Sequence, residues 1–243
     1  MGEVIAVLSG KGGTGKTSLC AGIAEALAQM PKQVLCIDCD IGLRNLDIAL
    51  GISELGALSF TEVSSGCYST DAITSHPLWK NLRFLTAPMN LTADAIDRAE
   101  FSALLSRLRR EYHYIFLDAP AGIEDGFRLA ACSSDRVILV SGADPASVRD
   151  AQRSAQELEQ LGKPARLVVN RLRKKMFKTV NLTVDDIMDT AGLPLLGVVP
   201  EDEDVVLAAA FGQPLLGYAE KGAAAACRRI ARRIQGLRVK VRL

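Results

Sequence analysis

The stretch Gly10-Lys11-Gly12-Gly13-Thr14-Gly15-Lys16-Thr17 constrains this chain more than any other, because it matches G-x-x-x-x-G-K-[ST] in the setting that pattern requires. It follows directly on the apolar run Val4–Leu8 and opens into a helical pattern carrying Leu19, Ile23 and Leu27. A strand, a glycine-rich turn and a helix N-terminus bring free backbone N–H groups and the positive end of the helix dipole to one point, where they bind phosphate. Lys16 offers a point charge to β- and γ-phosphates, and the Thr17 hydroxyl is a ligand for Mg²⁺. The phosphate-binding set is therefore Gly10, Lys11, Gly12, Gly13, Thr14, Gly15, Lys16, Thr17 and Ser18.

Short Val-, Ile- and Leu-rich runs recur at Val4–Leu8, Val34–Ile37, Leu82–Leu85, Tyr114–Leu117, Val137–Val140, Leu167–Val169 and Leu196–Val199, and read as buried strands. Between them Lys16–Gln29, Ala93–Arg110, Ala146–Leu161 and Val184–Ala191 read as helices. Strands alternating with helices predict a doubly wound α/β domain with a mostly parallel sheet covered on both faces. No linker or break in composition divides it, so a single P-loop domain over residues 1–236 is expected, followed by a basic tail over 237–243. Gly51–Thr74, rich in Ser, Gly and Thr, reads as an irregular surface excursion.

Carboxylates gather where the strands end, the edge at which open α/β sheets do their ligand chemistry. Val34–Ile37 runs into Asp38-Cys39-Asp40, and Tyr114–Leu117 ends in Asp118, the arrangement that places an acid beside the P-loop to hold Mg²⁺. Leu167–Val169 ends in Asn170-Arg171, and Leu196–Val199 in Pro200-Glu201-Asp202. An amide carries both donor and acceptor and can read a purine edge, or it can simply cap a loop.

Lys11 is a second lysine within the P-loop, and the resulting KGGTGKT resembles the deviant Walker A motif of the MinD/ParA family of ATPases. IGLRNLD (residues 41–47) and DAPAGIE (residues 118–124) resemble the switch segments of that family's septum-site-determining branch. The resemblance runs from Val4 to about Gly236. It implies Mg²⁺-dependent hydrolysis of ATP, with Lys11 reaching the nucleotide of a second protomer in an ATP-dependent homodimer. It also implies Lys11, Lys16 and Asp40 as the catalytic set, Asp40 orienting the attacking water, and Thr17, Asp40 and Asp118 as the Mg²⁺ site. Asn45 falls near the partner protomer, and Asp38 supports the P-loop or the Mg²⁺ shell. The base is read by Asn170 and by the backbone of Pro200, Glu201 and Asp202, and Arg171 joins them in the nucleotide-binding set. The implied role is positioning of the division septum, with the inhibitor MinC and a topological regulator as partners and the membrane as platform.

Composition narrows the alternatives. No apolar run approaches the ~20 residues of a spanning helix, and the N-terminus lacks the features of a secretory signal, which points to a cytoplasmic protein, peripheral on the membrane at most. The net charge of +1 hides seven basic residues and no acid in 228–243; without them 22 Lys and Arg face 28 Asp and Glu, a body of −6. That body argues against a ParA-type role on DNA and leaves the basic tail as a contact for an anionic membrane. Leu237, Val239, Val241 and Leu243 alternate with Arg238, Lys240 and Arg242, so the tail is expected to be extended or disordered, without the apolar face of a membrane helix. Arg171–Lys178 reads as a solvated basic loop. The six cysteines lie mostly in apolar stretches and read as reduced thiols, Cys36 and Cys39 as core residues, and Cys132 has no companion for a bridged cluster.

Overall fold

The computed structural model describes residues 1–53, 55–89, 91–173, 179 and 183–242; most of the basic loop (174–178) lies outside the described residues. Strands β1 (Glu3–Leu8), β2 (Val34–Asp38), β3 (Thr74–Ser75), β4 (Leu82–Leu85), β5 (Tyr114–Asp118), β6 (Arg136–Ser141), β7 (Ala165–Leu172) and β8 (Leu195–Pro200) form one sheet in the order β3-β4-β2-β5-β1-β6-β7-β8. Every pairing is parallel except β3 with β4. The helices are α1 (Lys16–Ala28), α2 (Leu46–Ala49), α3 (Phe60–Ser64), α4 (Arg98–Leu108), α5 (Asp125–Ser133), α6 (Pro145–Gln160), α7 (Val184–Ala191), α8 (Asp204–Ala210), α9 (Leu215–Tyr218) and α10 (Gly222–Ile234).

The doubly wound architecture follows from the side-chain alternation of the strands. Along β1, Val4, Ala6 and Leu8 enter one core, where Phe101, Phe127 and Leu158 pack, while Ile5 and Val7 enter the other, with Ile23, Phe116 and Ile230. Both faces of the sheet are buried, which is why the strands read as continuous apolar runs. β1 lies centrally, with β5 and β2 on one side and β6, β7 and β8 on the other, so the P-loop emerges where the winding reverses.

Three expectations are corrected. The helix expected over Ala93–Arg110 is split, because Asp97 takes an extended conformation and its carboxylate accepts from the N–H groups of Ala99 (2.7 Å) and Glu100 (3.1 Å), starting α4 at Arg98. The excursion over 51–74 contains α3, opened by a Ser59/Glu62 capping box, and its Phe60 is buried 5.1 Å from the ring of Phe101. β7 continues to Leu172, so Asn170 and Arg171 belong to the strand rather than following it. The described tail residues 237–242 form neither helix nor strand, and Arg233 donates to the carbonyl of Val239, drawing the tail back onto α10. Among the described residues no helix is long and apolar enough to cross a membrane.

Candidate functional site

The P-loop is held by close packing that only glycine permits. A Cβ on Gly10 would lie 2.5 Å from Ser154 Oγ and 2.6 Å from the Asp150 carbonyl of α6, and Gly15, at φ 81°, would place one 2.5 Å from Asn170 Nδ2. Gly15 precedes α1 with no side-chain cap, leaving the first N–H groups of the helix available to an anion. Lys16 is almost fully buried, its Nζ 2.7 Å from Asp118 Oδ1 and 3.3 Å from Thr17 Oγ1. The buried hydroxyl of Thr14 has no protein partner among the described residues, an unsatisfied group within the cradle. Lys11 is about half exposed at the rim, its Nζ 3.9 Å from the Asp144 carboxylate that caps α6.

Asp38 and Asp118 face each other across the β2–β5 ladder, both buried. Burial raises the Asp38 carboxyl to about 7, helped by the negative charge of Asp118 and opposed by N–H groups from Asp40 (2.9 Å) and Leu46 (3.2 Å). Asp38 therefore anchors the backbone of the 40–46 segment. Burial likewise raises Asp118, against the pull of Lys16. Asp40, half-buried, lines the P-loop cleft together with Lys16 and Thr17. Asp118, Asp40 and the Thr17 hydroxyl are hard oxygen donors gathered around Lys16, so these residues fit Mg²⁺.

In the loop after β5, Gly122, at φ 101°, donates its N–H to the Ser9 carbonyl at 3.0 Å, tying that loop to the start of the P-loop. At the far end of the cleft a cavity of about 700 Å³ is lined by Gly15, Ser18, Asn170, Arg171, Pro200, Glu201 and Asp202, so the expected base-side residues do converge. Four of them are already engaged, Arg171 and Glu201 with each other. Asn170 Nδ2 donates to the Thr14 carbonyl at 2.8 Å, and Asp202 Oδ2 accepts from Ala223 N–H at the start of α10, so Asp202 offers the cavity its backbone rather than its carboxylate.

Residues 5–215 match the CobQ/CobB/MinD/ParA nucleotide binding domain. Over 241 residues the chain is 37% identical to the septum site-determining protein MinD of Synechocystis sp., covering 97% of this chain and 90% of that protein. The chain belongs to the MinD family. In the solved MinC:MinD cell division complex of Aquifex aeolicus a chain 34% identical superposes with a TM-score of 0.91, covering 99% of this chain and 98% of that one. The septum site-determining MinD of Pyrococcus horikoshii, complexed with Mg-ADP, is 26% identical with a TM-score of 0.80, covering 96% of each chain.

In this MinD-family cleft, sequence reasoning missed Asp144, which meets Lys11 and accepts from the Ser147 N–H and hydroxyl. The Asp-Pro pair at 144–145, an N-cap followed by proline at the first helical position, was the signal that could have found it. It also missed Val205 of α8 and Leu215 of α9, which line both cavities and whose short helices carry no clear periodicity. His76 holds the excursion: its Nδ1 accepts from the N–H groups of Leu78 and Trp79, which leaves Nε2–H to donate to the Leu50 carbonyl at 2.9 Å.

Proposed function

We propose that this chain is a septum-positioning switch in which ATP joins two copies across the P-loop edge, hydrolysis separates them, and the dimer recruits a division inhibitor at an anionic membrane. Its enzymatic activity is that of an ATPase, with ATP as substrate and Mg²⁺ as cofactor. Lys16 would meet the β- and γ-phosphates, and Thr17, Asp40 and Asp118 are the groups that would hold Mg²⁺; when bound, the ion neutralises phosphate charge. Asp40 orients water at the γ-phosphate, and the turn Pro200-Glu201-Asp202 receives the base.

The observation that carries the dimer reading is Lys11, a half-exposed cation at the rim of the phosphate cleft whose one ion-pair partner among the described residues is 3.9 Å away. Such a lysine is free to reach a second subunit's triphosphate, where added positive charge stabilises the transition state. Leu43 on the same cleft, Val206 of α8 and Phe211 at the end of α8 are exposed at 71%, 70% and 65%, apolar surface suited to a second copy. Recruitment of an inhibitor is supported by the likeness to the Aquifex aeolicus MinC:MinD complex. Attachment to an anionic membrane is supported by Arg229, Arg233 and Arg242, which have no acidic partner among the described ion pairs.

The test is size-exclusion chromatography with light scattering, with and without Mg-ATP. The parent is expected to dimerise with ATP, Lys11→Ala to remain monomeric and lose most hydrolysis, and Asp40→Ala to dimerise persistently while hydrolysing at least about tenfold more slowly. A Lys11→Ala variant with parental turnover would refute the two-copy mechanism.

A further inference from the structure

Asn170 and Arg171, adjacent at the end of β7, bond to adjacent peptide units of the P-loop. Asn170 Nδ2 donates to the Thr14 carbonyl at 2.8 Å, and Arg171 Nη1 donates to the Gly13 carbonyl at 3.0 Å. In a trans peptide unit the C=O and the N–H of the following residue point in opposite directions. Holding the Gly13 carbonyl outward therefore aims the Thr14 N–H inward, and holding the Thr14 carbonyl does the same for Gly15 N–H. These are the dipoles of an anion-binding nest, and a carbonyl rotated the other way would present negative charge to the phosphates.

The local backbone is unusual in a way that serves this contact. Arg171 lies at φ 55°, in the left-handed region that a long side chain rarely occupies, at an irregularity in the β7–β8 ladder. Such a conformation persists where its surroundings over-determine it, and here both arms of the guanidinium are held. Nη1 is on Gly13, while Nη2 is 3.2 Å from Glu201 Oε1, and Glu201 in turn takes two bonds from Arg173. Arg171 thus spans from the turn after β8 to the back of the phosphate cradle.

We propose that Arg171 is a positioning residue for the P-loop, acting on the phosphates through the Gly13–Thr14 peptide, and that it does not read the base. This rests on the nucleotide-site reading above. Because the contact is with backbone outside the cradle, losing it must weaken any polyphosphate, with or without a nucleoside.

The experiment measures the affinities of Mg-ATP, Mg-GTP and inorganic tripolyphosphate with Mg²⁺, by competition with a fluorescent ADP, for the full chain and for Arg171→Ala, Arg171→Lys and Arg171→Gly. Melting without ligand establishes that each variant is folded. Arg171→Ala is expected to weaken ATP and tripolyphosphate by the same factor, about tenfold for a charge-assisted bond, with the ATP-to-GTP preference unchanged. Arg171→Lys should recover part of the loss. Arg171→Gly should match Arg171→Ala, since it keeps the backbone conformation and lacks only the guanidinium. Weakened ATP with unchanged tripolyphosphate, a reduced preference for ATP over GTP, or no change in either ligand would each overturn the proposal. A parent protein that bound neither ligand, no better than Lys16→Ala, would sink the nucleotide-site reading and this proposal with it; parental binding unaltered in Arg171→Ala sinks only the latter.

Discussion

The two edges of the sheet treat charge in opposite ways. At the carboxyl ends of the strands the buried charges are tied to fixed partners: Lys16 to Asp118, Asp38 to two backbone N–H groups. At the amino ends of β7 and β8, Arg166 and Arg233 bond to backbone carbonyls, those of Leu195, Leu196 and Val239, and Arg229 and Arg233 are held below their usual proton affinity, first by burial and then by neighbouring arginines. The first edge is organised around one small polyanion at a set distance. The second presents diffuse positive charge, which suits an extended surface and is screened by salt.

Removing Lys16 should produce the largest effect. Lys16→Ala is expected to weaken nucleotide binding at least about a hundredfold, and also to lower the melting temperature, because Asp118 is left buried without its counter-charge. Adding Asp118→Asn should restore the melting temperature and leave binding lost. If the double variant stayed as unstable as the single one, the pairing would not be what organises this edge.

Glu25 is the exception that sharpens the comparison. It sits on α1, fully buried, with one carboxylate oxygen accepting from Leu216 N–H at 2.8 Å and the other unpartnered. Burial raises its pKa from 4.5 to about 8, opposed by the Leu216 bond and by Arg228. Below about pH 4.5 both folded and unfolded chains carry the proton. As pH rises from there to about 8 only the folded chain keeps it, so stability falls across that window and levels off above it. At about 1.4 kcal/mol per pKa unit the loss is a few kcal/mol. Urea unfolding at pH 5.5 and pH 9 should show Glu25→Gln gaining on the parent at the higher pH; equal pH dependence in both would mean Glu25 titrates normally.

The phosphate edge was legible because its pattern is local: eight consecutive residues specify the turn, and acids at strand ends specify Asp40 and Asp118. The burial of Cys36 and Cys39 also followed from their place in and beside a fully apolar strand. What the chain did not disclose depends on contacts between distant segments. The attachment of Asn170 and Arg171 to the P-loop joins residues 156 and 158 positions apart, and requires a left-handed turn at an arginine that no propensity favours. The engagement of Asp38 with the 40–46 backbone depends on how that loop folds over β2. Glu25 became buried because α1 is covered by the sheet on one side and by α9 and α10 on the other, a layering that its own helical period does not encode.

The smallest expected effect belongs to the opposite edge. Each arginine near an anionic surface contributes about 1 kcal/mol, roughly fivefold in affinity, so no single substitution there should abolish an interaction. Residues 237–242 form neither helix nor strand, with Leu237 and Val241 both about half exposed, so attraction is expected to rest on the charge of Arg229, Arg233, Arg238, Lys240 and Arg242. One such cluster binds weakly, whereas two on a dimer act together, and binding should therefore depend on Mg-ATP. Sedimentation with anionic and zwitterionic vesicles across a salt series checks this. The parent is expected to bind anionic vesicles at low salt with ATP and to be released as salt rises; Arg229→Ala should lose about fivefold at low salt and progressively less as screening grows. Arg229 is the informative position because, unlike Arg233, it does not hold the tail, so its removal subtracts charge while leaving the Val239 contact in place. Salt-resistant binding to zwitterionic vesicles would show that apolar insertion, not this charge, attaches the protein, and would remove the distinction between the two edges.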